Sequence, residues 1–146
     1  MVVVERATPG DRAEVERLVA AYHASEGVNP RPSRIAWAVE QQLSGRFPGV
    51  LLVARDGGAT VGVALAVYQP SAELGRVFQV NDFYVEPARR REGIGRALAA
   101  HLMEEAAAMQ VDLVTLEVLP TNAGATAFWR SVGFSTSGHV IYSCVP

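Results

Sequence analysis

The run from Arg89 to Leu98, Arg-Arg-Arg-Glu-Gly-Ile-Gly-Arg-Ala-Leu, sets three arginines and two glycines ahead of an apolar stretch with helical spacing. Gly93 and Gly95 clear side chains from the point where the chain would enter a helix. Consecutive backbone N–H groups can then converge on one anion, reinforced by the positive end of the helix dipole. The chemistry this pattern offers is phosphate binding. A P-loop needs Lys followed by Ser or Thr after its last glycine, and this chain has Arg96 and Ala97 there. A dinucleotide-binding turn, the mark of a nucleotide-dependent oxidoreductase, wants a small residue in place of Leu98 and a repeated βαβ series. Both fit badly, and a plain strand-to-helix turn with a solvated basic surface is the competing structural reading.

Two carboxylates are placed to move a proton. In "LVTLEVL" the residues Val114, Leu116 and Val118 alternate with Thr115 and Glu117, so the Glu117 carboxylate leaves the apolar face of a strand. Its structural alternative is a partner for an arginine or a backbone amide. Asp82 lies in "RVFQVNDFYVEP", where Phe78 and Val80 share one face by the period of two but Phe83 and Val85 have the opposite parity. A bulge near Asn81 and Asp82 restores the register, and bulges are over-represented beside active sites. A strand buried on both faces is the alternative. Asn81 itself is an amide and cannot serve as a base.

The elements that must position these residues read as a mixed α/β order. "VVVER" is a short β-type run, after which Thr8, Pro9 and Asp11 open a helix to about Ala24, with the Thr hydroxyl as cap. "SEGVNPRPSR" interrupts the pattern, and "IAWAVEQQLS" is a second helix ending at Gly45. Asp56-Gly57-Gly58 marks a hairpin between two β-type runs. The strand containing Asp82, a helix from Ile94 to Met109, the Glu117 strand, a helix from about Asn122 to Val132 and a last strand, "GHVIYSCV", complete the chain.

Within that order, "VEPARRREGIGRAL" resembles the acyl-CoA-binding motif of the GNAT superfamily of N-acetyltransferases, with its core at Arg90 to Gly95. "LEVLPTNAGATAFWRSVGF" resembles the second motif of the same family, through Asn122, Ala125, Phe128, Trp129, Gly133 and Phe134. The two motifs in this order, behind two helices and a hairpin, cover nearly the whole chain. The resemblance implies one GNAT acyl-CoA N-acyltransferase domain over residues 1–146. Its fold is α/β (α+β), a central mixed, mostly antiparallel twisted sheet flanked by about four helices.

The resemblance also implies acetyl-CoA as cosubstrate. Its pyrophosphate would lie on the N–H groups of Arg90, Arg91, Glu92, Gly93, Ile94, Gly95 and Arg96, with Arg89 and Arg91 adding charge. Arg91 stands where many relatives have glycine, which would stiffen the loop. The pantetheine arm would pair with main-chain groups of Phe83, Tyr84 and Val85, and Asn122 would touch it or cap a helix. Glu117 matches the position where ribosomal-protein acetyltransferases carry a catalytic glutamate, with Asp82 as second candidate base.

One departure concerns the leaving thiolate. Where many members use a tyrosine as general acid, this chain has Trp129, whose indole does not titrate. A thiol with a pKa of ~8.5 leaves well and takes its proton from water. Tyr84 and Tyr142 are the candidate substitutes, each with a structural role as its alternative, and Trp129 would line the pocket or pack under Phe134. The implied reaction is acetyl transfer to a primary amine of a small molecule or peptide by direct attack. A non-catalytic acyl-CoA-binding or sensing module is the alternative. Tyr22, His23, Glu26 and Trp37, in or near the early helices, would set amine specificity.

Composition limits the remaining classes. With 13 basic and 15 acidic residues, the balance favours neither nucleic acid nor an anionic membrane. No apolar run approaches the ~20 residues of a membrane span, and the start "MVVVERATPGDR" does not read as a signal peptide, so the expectation is a cytoplasmic protein. Cys144 is the single cysteine, and with three scattered histidines it gives no zinc spacing. Members of this fold often dimerise, and the last strands would be the contact.

Overall fold

The computed structural model describes all residues from Met1 to Pro146. Five strands form one sheet in the order β1-β2-β3-β4-β5: β1 (Val2–Arg6), β2 (Gly49–Asp56), β3 (Ala59–Ser71), β4 (Gly75–Val85) and β5 (Leu113–Leu116). The first four are antiparallel neighbours, and β5 lies parallel to β4. Four helices accompany the sheet: α1 (Arg12–Ser25), α2 (Pro32–Leu43), α3 (Ile94–Ala108) and α4 (Ala123–Ser131). The mixed, mostly antiparallel sheet and the four helices follow the expected architecture.

The alternation of side chains along the strands divides the core into two layers. Leu52, Ala64, Phe78 and Leu98 belong to the layer under α3, whereas Leu51, Val53, Val63 and Leu65 pack against Val15, Leu18 and Val39 of α1 and α2. Phe78, Leu52, Leu98 and Leu18 are fully buried, each worth about 2 kcal/mol of apolar transfer. Asp56 pairs with Ala59 across the two-residue Gly57-Gly58 turn, as the hairpin signal predicts.

The parity break in β4 is a bulge. Leu65 pairs with Asp82 and Ala66 with Val80, so Asn81 is the extra residue. The insertion leaves Phe78, Val80, Phe83 and Val85 all in or against the α3 layer, and it turns Asp82 and Tyr84 toward α1. Both faces of β4 are nevertheless covered, so the bulge and the two-sided burial coexist.

Three expectations need correction. The run "GHVIYSCV" forms no strand: residues 135–146 are in neither helix nor strand, and Val140, Ile141, Tyr142 and Val145 are exposed. An alternating apolar pattern is only a propensity until another strand pairs with it. The strand predicted through Leu119 stops at Leu116, which leaves Glu117 just beyond β5. At the first helix the roles at the cap are reversed. The Thr8 hydroxyl donates to Asp11 Oδ2 (3.2 Å) and the Thr8 N–H donates to the same oxygen (2.7 Å), while Pro9–Asp11 forms a 3-10 turn before α1.

Candidate active site

The arginine-glycine loop leads from β4 into α3. Gly93 is the residue before the helix and has φ 85°, in the left-handed region that glycine occupies without strain. Gly95 serves a different purpose: a Cβ there would meet the Phe128 ring at 3.2 Å, so its bareness lets α3 approach α4. Arg91 has φ 63°, the non-glycine residue at the position where a glycine would be relaxed. The first α3 hydrogen bond is Ala97 N–H to Gly93 O, and the N–H groups of residues 91–96 donate to no acceptor within the protein. Six successive donors beside the positive end of a fifteen-residue helix are an arrangement suited to an anion.

The three arginines have separate roles. Arg89 is tied to Asp56 (2.6 Å) and to Glu92 (3.1 Å), and these carboxylates hold its guanidinium well above its ordinary pKa. It braces the loop against the β2–β3 hairpin. Arg90 donates from Nε to the Val85 carbonyl (3.0 Å), and its guanidinium lies 5.3 Å from the Tyr84 ring centroid. Arg91 makes no ion pair and stays available at the loop.

Beside this loop the sheet opens. β5 pairs with β4 only from Val77 to Val80, so β4 beyond the bulge has β3 as its sole neighbour. The Glu86 N–H donates to Val61 O, and by antiparallel alternation the backbone groups of Phe83 and Val85 point away from β3 into the opening, while those of Tyr84 and Asp82 point toward it. The V between β4 and β5 can accept an extended chain with amide groups. One wall is an aromatic cluster: Phe83 and Trp129 ring centroids are 4.7 Å apart, and Trp129 lies 5.0 Å from Phe134. Trp129 is buried there, packed under Phe134.

At the bulge, Asp82 accepts a 2.8 Å hydrogen bond at Oδ1 from His23 Nε2 of α1. Burial pushes the Asp82 carboxyl up, and His23 only partly offsets it. His23 lies one turn beyond Val19 on the stripe Val15–Val19 that buries α1, which is the trace in the sequence of an inward-facing histidine. The pairing itself spans 59 positions and was not legible there.

Next to this pair on α1, burial raises the pKa of Tyr22, and the charges of Glu26, Asp82 and Glu117 add to the rise. Glu26 accepts a 3.2 Å hydrogen bond from Asn122 Nδ2, and Asn122 Oδ1 accepts from the Ala125 N–H at 3.0 Å. Asn122 therefore caps α4 and links it to α1. Glu117 is exposed just beyond the end of β5, and Tyr142 is 92% exposed on the C-terminal segment.

The chain matches the model of the Acetyltransferase (GNAT) family over residues 14–134. It is 30% identical over 122 residues to the ribosomal protein bS18-alanine N-acetyltransferase of Escherichia coli K12, covering 84% of this chain and 77% of that one. It is 28% identical over 108 residues to the L-methionine sulfoximine/L-methionine sulfone acetyltransferase of Salmonella typhimurium, covering 74% and 61%. Among solved structures, AAC(6')-Iy bound to the bisubstrate analogue CoA-S-monomethyl-acetylneamine superposes with a TM-score of 0.84 at 15% identity, over 100% of this chain and 99% of that one.

Proposed function

From the premise that this chain belongs to the acetyltransferase (GNAT) family, and is an acetyl-CoA-dependent N-acetyltransferase, we propose how its residues divide the work. The acceptor is a primary amine of a small molecule or peptide, which attacks the thioester directly. The observation that carries this reading is the Asn81 bulge: one insertion opens the sheet next to six free N–H donors and sets Asp82 at the opening.

The donors of residues 91–96 and the unpaired Arg91 suit a pyrophosphate, and the backbone of Phe83 and Val85 suits the amides of a pantetheine arm. Acetyl-CoA, when bound, supplies the acetyl thioester. The chain must hold the amine and take its proton. The negative charges of Glu26, Asp82 and Glu117, all felt at Tyr22, draw in an ammonium group. The His23–Asp82 pair receives the proton, because its carboxyl, raised by burial, is a stronger base than an exposed aspartate. Glu117, exposed just beyond β5 at the position marked by the family resemblance, is the second reading for the base. Trp129 forms part of the aromatic wall, and the departing thiolate takes its proton from water.

Residues 135–146 and the outer edge of β5 are the surfaces this reading offers for a homodimer, to be checked by light scattering. No helix is long and apolar enough to cross a membrane. The test of function is thermal unfolding with acetyl-CoA, desulfo-CoA and NADP, followed by thiol release with amines for wild type, Asp82→Asn and Glu117→Gln. A CoA-specific rise of several degrees, with turnover lost in Asp82→Asn, is expected. Stabilisation by NADP instead, or no thiol release with any amine, would overturn the reading. Loss confined to Glu117→Gln would move the base to Glu117.

A further inference from the structure

A cavity of about 540 Å³ opens on the His23–Asp82 pair and is lined also by Arg31, Arg34 and Trp37 at the start of α2. That volume suits a small molecule. Every one of the 13 basic residues in this chain is arginine, and acids outnumber them by two. Arg6, Arg12, Arg17, Arg55 and Arg89 are all paired with carboxylates. Of the arginines without an ion pair, Arg31 and Arg34 are the two that line this cavity, and neither makes a side-chain hydrogen bond.

Their placement is electrostatically unfavourable. They stand three residues apart at the positive end of α2, whose first turn contains no acid to balance them. Two like charges kept against the helix dipole, on the wall of the cavity that reaches the reactive pair, violate a local rule with no compensation inside the protein, as residues at functional sites do. An anionic group on a bound ligand would supply that compensation. Asp82 and His23 line the same cavity, so that ligand presents an amine to one group of residues and an anion to another. Trp37 is 62% exposed and adds an apolar surface for the rest of the molecule.

We propose that the acceptor is a small amine carrying a carboxylate, amino-acid-like in charge, with its carboxylate held by Arg31 and Arg34 and its amine delivered to the His23–Asp82 pair. This rests on the transferase reading above. A polycationic amine is repelled by the two guanidinium groups, and a peptide N-terminus has its carboxyl masked as an amide, so neither engages them.

The test is thiol release from acetyl-CoA with the protein L-amino acids, the carboxamide of each, neamine and an alanyl peptide amide. Wild type is expected to prefer the best amino acid over its own carboxamide by at least about tenfold in kcat/KM. The double variant Arg31→Gln/Arg34→Gln is expected to raise the KM of that amino acid about 10- to 100-fold with kcat little changed, and to leave the carboxamide untouched. Equal use of acid and carboxamide by wild type, preference for neamine or the peptide, or parallel loss with both acceptors in the variant would overturn the proposal. The acetyl-CoA-induced rise in unfolding temperature, measured on the same variant, confirms that it is folded. Thiol release with amines but without a carboxylate preference removes this inference alone. Failure to release thiol with any amine removes the transferase reading and this inference with it.

Discussion

Asp11 and Asp82 are both largely buried carboxylates, with side chains about equally shielded at 10% and 14% exposure, yet the protein holds them in opposite ways. Burial by itself would raise both. At Asp11 that tendency is overcome by the Thr8 backbone N–H, by the Arg55 guanidinium at 2.7 Å and by the Thr8 hydroxyl, so its pKa lies below the usual value. At Asp82 a single His23 nitrogen faces the carboxylate, and burial prevails. The corner between the 3-10 turn and β2 thus stores a charge permanently, whereas the β4 bulge keeps one that is easily protonated. What separates the structural carboxylate from the one proposed as base is how strongly packing desolvates it together with the number and permanence of its donors.

The largest expected effect comes from removing the proposed base. Asp82→Asn should lower kcat by about 10²- to 10⁴-fold, with acetyl-CoA affinity within twofold of wild type and no loss of thermal stability. A drop in unfolding temperature equal to that of a core substitution would show that Asp82 is structural after all. Asp11→Asn should reverse the pattern: a loss of about 2 kcal/mol, read as a fall of roughly 6 °C, with kcat/KM unchanged.

The pH dependence sharpens the contrast, because the two carboxylates carry opposite signs. Asp11 has a lowered pKa, so its contribution to stability is complete above the ordinary aspartate value of 3.8 and is lost as pH falls through the lowered one. Asp82 has a raised pKa, so the folded protein binds the extra proton, and its contribution is present below 3.8 and lost as pH rises through the raised value. The stability difference between wild type and Asp11→Asn should therefore grow with rising pH, and that between wild type and Asp82→Asn should shrink. Denaturant titrations at a series of pH values would measure both slopes, and slopes of the same sign would refute the comparison.

The smallest effect concerns the loop. Arg91→Gly should stabilise the free protein by about 0.5 kcal/mol, since relief of the left-handed backbone at φ 63° slightly exceeds the added chain entropy of glycine. If Arg91 also meets phosphate, the same variant should bind acetyl-CoA more weakly at low salt and less distinguishably so at high salt.

Much of this was legible in the chain because it is local. The Gly93 and Gly95 spacing, the Asp56-Gly57-Gly58 turn, the helices and the parity break at Asn81 depend on residues a few positions apart, where backbone conformation and side-chain period decide the outcome. Asn122 as a helix cap is local in the same sense. Pairings across the chain were not legible. His23 and Asp82 are 59 positions apart, and Asn122 and Glu26 are 96 apart. No periodicity of one segment encodes what another segment brings beside it.

The C-terminal run marks the boundary most clearly. Val140, Ile141 and Tyr142 have every propensity of a strand, and in the structure they pair with nothing. The sequence by itself determined the helix-forming loop with its free N–H donors, the bulge and the two-faced core of this family. The tertiary structure alone decided which arginines are spent on ion pairs and which remain free. It also decided which carboxylate is matched by fixed donors and which meets only a histidine. The physical reason is that a charge takes its properties from the neighbours that desolvate and partner it, and those neighbours are chosen by packing rather than by spacing along the chain.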